Sequence, residues 1–520
     1  MNHSRAILVV FVLFAFPFGA RGGDLSTAGH GSGWHNGVPA VLEGQAQRLV
    51  RDLKRQGFEV GRGYFKLWTA DQCTYTTLKM GLCFGNNPAA PYVAMALPPW
   101  SDEEFDPWLG SLWGESQEGY NDIYRLDQRE AIVILAKLPP PAAYFSEQSW
   151  VFSREGTFDT ESERYQAIVK NYSALANILF ATVPDHPERV QALASISNPV
   201  NNVVIERGSG SSFGTIRYFV ITPDQFMDGA VRKAFAAQSI RDADVFTEQI
   251  PSDRKLGLDQ SADDFTTILR FAHPRNEAAA ERWRSDLPMV VLRVRDRSSS
   301  RRPVPYPPFT IASLEKRKAV DERPLGNDLG NLLYAVSQKW GSPCARVDCS
   351  DRAGVFQDMQ TPILSLVGPL CISNGQSCLL DNWDTTYQFA GSFSLDKGEV
   401  YALAGTLGTE TGNATYVGLG INQVSVLKGA ADLSNDDLKG TANGYAGTVQ
   451  NAEKLYLYYF TRDCTGLETL TGGHCLSLKS VIPPRDRFGA SVRDYVEPGT
   501  VRGPDSSLVL PSRVLKLQRP

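Results

Sequence analysis

Apolar positions along the chain follow two different periods, and the places where the period changes mark out its elements. In VLEGQAQRLVRDLKRQG (41–57), Leu42, Ala46, Leu49, Val50 and Leu53 recur at helical spacing, and Gly57 provides a stop. Short apolar runs follow, YFKLW (64–68) and PYVAMALPP (91–99), and then EAIVILAKL (130–138) and AYFSEQSWVF (143–152), which read as strands joined by the run Pro139–Pro141. The segments VVIE (203–206) and GTIRYFVI (214–221) predict a hairpin around the glycine-serine loop 208–214. Next, TPDQFMDGAVRKAFAAQ (222–238) predicts a helix with Thr222 as N-cap, Pro223 at the first helical position and Gln225 closing a capping box. DVFTEQI and FTTILRFA read as strands, RNEAAAERWRS as a helix and PMVVLRVR as a strand. Two successive β-α-β arrangements predict helices layered on a sheet.

The pattern breaks at DRSSSRRPVPYPPF (296–309), whose serines, arginines and prolines cannot form a core. Beyond it, Leu329, Leu332, Leu333, Val336 and Trp340 share one face of a helix. EVYALAGTL, ATYVGLGINQV and KLYLYYF then read as strands separated by glycine-rich turns. The expectation is a mixed α/β fold: a sheet-and-helix region over 23–295, with any division into subdomains near 153–200, a linker over 296–324, and a mainly-β, disulfide-stapled domain over 325–520.

The first 22 residues change the setting. A basic Arg5, an apolar run over Ala6–Gly19 too short to span a bilayer, and small residues at Ala20 and Gly22 predict a cleaved secretory signal. Its removal lowers the basic count from 52 to 50 against 57 acids, a balance that argues against nucleic acid as a partner. No other stretch is apolar enough to span a membrane.

In an exported chain, eight cysteines in four close pairs read as disulfides: Cys73 with Cys83, Cys344 with Cys349, Cys371 with Cys378, and Cys464 with Cys475. None is spaced C-x-x-C, so redox and zinc-ribbon readings lack support. In CISNGQSC (371–378) an Asn374-Gly375 hairpin turn would set Cys371 opposite Cys378. Asp381, Asn382 and Asp384 follow, but Thr386 and Ser392 stand where an EF-hand needs Gly and Glu, so no metal is expected there. Asn171-Tyr-Ser173 and Asn413-Ala-Thr415 are candidate glycan acceptors in a chain exported from a eukaryotic host, and coincidental in a bacterium.

Candidate chemistry is sparse. GSSFG (210–214) fits the nucleophile pattern G-x-S-x-G around Ser212, with Asp263 or Asp264 and His273 downstream, yet a loop between two strands is the wrong setting for a nucleophile elbow. His30 and His35 lack a third ligand, and His273, before Pro274, is the histidine best placed for a cleft. Glu147, Arg217 and Arg270 share strand faces with apolar side chains and so require partners, or line an anion-binding or acid-base site. Trp108 and Trp113, set among acids and glycines, are candidate exposed stacking residues. No nucleotide, zinc or other cofactor motif occurs. These features point to an extracellular protein, or a periplasmic one in a bacterium, acting as a hydrolase on a small molecule or glycan. The alternative is a ligand-binding or surface-interaction protein without catalysis.

Overall fold

The computed structural model describes residues 37–104, 109–298, 300–341, 354–359, 364 and 366–520. The signal segment, His30, His35, Trp108, Cys344 and Cys349 lie outside the described residues. The chain has a mixed α/β fold, with four sheets among the described residues. Sheet one has the order β1 (Glu59–Arg62), β12 (Met289–Arg295), β4 (Glu130–Lys137), β9 (Ile216–Thr222) and β10 (Val245–Gln249). Sheet two runs β2 (Tyr64–Trp68), β3 (Tyr92–Ala96), β11 (Asp264–Pro274), β5 (Ala142–Glu155), β7 (His186–Ser195) and β6 (Thr182–Val183), with β8 (Val200–Asn201) also paired to β5. Sheet three is β13 (Gly354–Val355), β22 (Arg513–Gln518), β16 (Glu399–Thr406), β19 (Leu455–Thr461) and β20 (Cys475–Ser477). Sheet four is β14 (Gln357–Asp358), β15 (Thr385–Phe393), β21 (Phe488–Tyr495), β17 (Tyr416–Gln423) and β18 (Lys428–Ser434).

Side-chain alternation stacks these sheets into layers. On β4, Ala131, Val133 and Leu135 pack under the helices Ala40–Arg55 and Gln225–Ala236, while Ile132, Ile134 and Ala136 face sheet two. A strand buried on both faces reads as a continuous apolar run, which EAIVILAK is. The second half repeats the plan in reverse. On β16, Val400, Ala402 and Ala404 pack under the helix Gly326–Lys339, and Tyr401 and Leu403 face sheet four. The remaining faces of sheets two and four meet each other, bringing Tyr144 and Ala272 against Tyr416 and Tyr495.

Several expected elements differ in detail. Residues Asn202–Ser209 form a helix instead of the first strand of a hairpin. Asn201 caps it by accepting from Val204 N at 3.1 Å, so a local cap overrides the strand preference of Val203, Val204 and Ile205. The helix Gln225–Ala236 is capped by Asp224, not Thr222, whose hydroxyl instead donates to Glu130 O. Of the two expected β-α-β units, β9 and β10 are parallel neighbours, whereas β11 and β12 lie in different sheets. The segment read as a linker is tied down: Val304 O accepts from Gln225 N, and Tyr306 is buried.

Disulfides join Cys73 to Cys83, Cys371 to Cys378 and Cys464 to Cys475, with Cα separations of 5.7, 5.7 and 6.0 Å. The second closes, but not over a hairpin. Gly368–Asn374 is a helix with Pro369 in its first turn, and Gly375 ends it in the left-handed region at φ 61°. Gln376 N bonds back to Cys371 O, the mark of a Schellman stop. Asn-Gly favours positive φ in either setting, and here the helix stop prevails. Both cysteines lie in the core between sheets one and two, far along the chain from their neighbours there. Among the described residues no helix is long and apolar enough to cross a membrane.

Asn413 is not an available glycan acceptor in the folded chain. Its side chain is fully buried; Oδ1 accepts from Val320 N at 2.6 Å, and Nδ2 donates to Val320 O at 3.0 Å and Glu322 Oε1 at 2.7 Å. Asn171, by contrast, is exposed. Asn413→Ala strands these partners and is expected to cost about 2–4 kcal/mol in denaturant unfolding, and intact-mass analysis of native material should find no glycan at position 413.

Candidate functional site

The segment after Cys378 fastens the second half of the chain to the first. Cys378 N and Leu380 N donate to Ala192 O and Leu193 O, laying the segment along β7. The Asp381 carboxylate accepts from Ser195 N at 2.8 Å, Ser195 Oγ at 2.7 Å and Gly368 N at 2.9 Å. A Cβ on Gly368 would collide with Ser195 O, so only glycine allows this approach. Asn382 accepts from Arg270 Nη2 and donates to Tyr387 Oη at 2.7 Å. Trp383 donates to Ser195 Oγ, and Asp384 accepts from Tyr144 Oη at 3.1 Å and Asn201 Nδ2 at 3.4 Å. Asp381, Asn382 and Asp384 thus form a buried clasp, with every member bonded to protein. Burial raises the Asp381 carboxyl to about 6.

Beside the clasp, a cavity of about 120 Å³ opens between β3 and β11 on one side and β15, β17 and β21 on the other. Its wall is largely apolar, including Phe84, Leu175, Met359, Leu379, Phe389 and Leu427. Sheet four presents its second face here. On β17, Val417, Leu419 and Ile421 enter the core between sheets three and four, which leaves Gly418, Gly420 and Asn422 on the opposite face. On β21 the same alternation turns Ser491, Arg493 and Tyr495 toward the cavity.

Two buried arginines border this space. Arg493 donates from Nη2 to Gly85 O at 2.9 Å, and its Nη1 has no partner. A Cβ on Gly420 would strike that nitrogen, so glycine makes room for the guanidinium. Arg270 donates to Asn382 and stacks 5.3 Å from the Trp150 ring centroid, and its Nε has no partner. Among the described residues neither guanidinium forms an ion pair. Asp384 acts on Arg270, and Asp432 on Arg493, only through space. Burial holds the Asp432 carboxyl up at about 7. The hydroxyls of Tyr387 and Tyr495 feel both arginines, accept from Asn382 and Asn87, and are kept protonated by burial. Asn422 Oδ1 is also unpartnered.

Of the candidate catalytic and ligand-binding residues singled out from sequence, Arg270 alone lines this cavity among the described residues, with Cys378 and Asp381 also on its border. Ser212 is buried and donates to Glu206 Oε1 at 2.6 Å, on a loop that follows a helix and precedes β9. His273 pairs with Asp436 at 3.1 Å and stacks on Tyr416. Glu147 lies between sheets one and two, on β5 opposite Leu269, four positions along β11 from His273. The three candidate catalytic side chains therefore occupy three different places. Arg217 braces the loop before its strand through Ser209 O and Ser211 O and pairs with Asp244 at 3.5 Å. Trp113, expected on the surface, is 1% exposed, donates to Thr266 Oγ1 and packs edge-on against Trp68 and Tyr92. Arg493, Tyr387 and Tyr495 were not singled out from sequence. Their signal is alternation: RDY in β21 places an arginine on the face its apolar neighbours leave free.

Glu147 is the most heavily perturbed of these groups. Its carboxyl is fully buried beside Glu248, whose oxygens already accept from Ser149 N at 2.9 Å and from the hydroxyls of Ser149 and Ser197. Desolvation first, and the Glu248 charge second, raise Glu147 well above the carboxylate range, so it is held as the neutral acid.

No family model and no curated protein matches this chain. A solved structure of an uncharacterized protein from Burkholderia cenocepacia is similar at 10% identity over 92% of this chain and 88% of that one, with a TM-score of 0.37, a likeness that carries no argument about function.

A group whose folded pKa is raised stabilises fully below its unfolded pKa, and that contribution is lost as pH rises through the folded value. Glu147→Gln removes the titration while keeping shape, so melting temperatures should rise relative to the parent chain as pH increases above the usual carboxylate range, with little difference in acid. A constant offset at every pH would show that Glu147 is not held protonated.

Proposed function

We propose that this chain is an exported small-molecule-binding protein whose ligand occupies the cavity between sheets two and four. The observation that carries the reading is the cavity itself, an apolar pocket with a few convergent polar groups at the junction of two layered halves. Binding is favoured over hydrolysis because Ser212, His273 and Glu147 lie apart and each is engaged by, or set against, other side chains. The polar groups at the cavity are mainly donors, which suit recognition better than nucleophilic attack. The apolar N-terminal run, the disulfides and the exposed acceptor Asn171 support an oxidising, extracytoplasmic destination.

Ser491→Phe places a ring in the cavity from a strand position. In a thermal-shift screen against chemically diverse small molecules, compounds that stabilise the parent chain should lose their effect on this variant, a difference of about 2.7 kcal/mol at a hundredfold excess over Kd. Equal stabilisation of both proteins would place binding elsewhere.

A further inference from the structure

We infer that the cavity takes an organic carboxylate, its head held by Arg270 and Arg493 and its apolar body by the surrounding wall. The inference rests on the reading of the cavity as a binding site and adds the class of ligand.

Four observations converge. Both arginines are more than nine-tenths buried, line the same space and leave a nitrogen without a partner, Nε of Arg270 and Nη1 of Arg493. A desolvated donor left unmade costs free energy, and a desolvated cation without an ion pair costs more. No described carboxylate of the chain bonds to either arginine: Asp384 and Asp432 act on them only through space, and Asp381 and Asp384 are consumed by Ser195, Gly368, Tyr144 and Asn201. Room for the Arg493 guanidinium is also built in, through Gly420 beneath it. The hydroxyls of Tyr387 and Tyr495 each already accept one hydrogen bond, from Asn382 and Asn87, and so have a proton to donate.

Donors without matching acceptors select an anion, and guanidinium forks match a carboxylate's two oxygens. The wall sets the rest of the ligand. It is apolar and aromatic, and a volume of about 120 Å³ holds about four waters, which suits a compact organic acid better than a large glycan or nucleotide.

The test is calorimetric titration of the full chain with small aryl and alkyl carboxylates, each beside its matched neutral amide, and with inorganic phosphate. Carboxylates should bind at least about tenfold more tightly than their amides, and phosphate should compete poorly. Arg493→Met should abolish the preference while raising the melting temperature of the ligand-free protein, since it removes a buried charge without an ion pair. Gly420→Ala, which keeps both arginines but displaces one, should weaken carboxylates and leave amides unchanged. Amides binding as well as carboxylates in a manner blocked by Ser491→Phe would overturn the carboxylate assignment and leave the cavity as the binding site. Binding unaffected by Ser491→Phe would remove the cavity reading and this inference with it. Phosphate binding as tightly as the carboxylates would replace the organic acid with a phosphate ligand, and a marked fall in stability for Arg493→Met would make that arginine a structural brace.

Discussion

The arrangement of the molecule depends on a buried polar contact between its halves. Asp381, Asn382 and Asp384 leave the Cys371–Cys378 loop and bond to Ser195, Arg270, Tyr144 and Asn201, residues of sheet two and its borders. Apolar packing is non-directional, whereas a carboxylate accepting from a backbone N–H and a hydroxyl adds a directional constraint on register. The clasp therefore fixes how sheet four faces sheet two, and with it the walls of the cavity that Arg270 and Arg493 both line. Its own stability depends on full satisfaction, because each of these groups is desolvated.

A second polar island lies one layer away, where Glu147 and Glu248 meet between sheets one and two with Ser149, Ser197 and Thr267. The two islands differ in kind. The carboxylates of the clasp are surrounded by donors and stay in the structure as acceptors, whereas Glu147 lacks donors and is held neutral. The arginines at the cavity are a third case, each bonded once to protein and each left with one nitrogen without an acceptor. This last arrangement borders the cavity, with Asp381 of the clasp at its edge, and leaves donors there for a ligand to meet.

Much of the architecture was legible in the sequence because strands buried on both faces are continuous apolar runs and the covering helices keep a clear period. EAIVILAK, EVYALAGT and the helix carrying Leu329, Leu332, Leu333 and Val336 are of this kind. Local competition hid the rest. The run Val203–Ile205 prefers a strand until Asn201 caps a helix, and Asn374-Gly375 serves a hairpin or a helix stop equally well. The site was the least legible part. Arg270 stood out as a charge on an apolar face, but its meaning depends on Asn382, 112 positions away, and on Arg493 in another sheet. Asn413 and Trp113 were misjudged for a related reason: polar or glycine-rich neighbours suggest exposure, while burial is decided by distant segments such as Val320–Glu322 and β11.

The contact between Tyr144 and Asp384, which joins positions 240 apart, isolates the clasp most directly. A double-mutant cycle with Tyr144→Phe and Asp384→Asn, read by equilibrium unfolding, should give a coupling of about 1–3 kcal/mol if that bond sets the register of the two halves. Effects that simply add, to within about 0.5 kcal/mol, would contradict the account and leave the apolar layers alone to align the sheets.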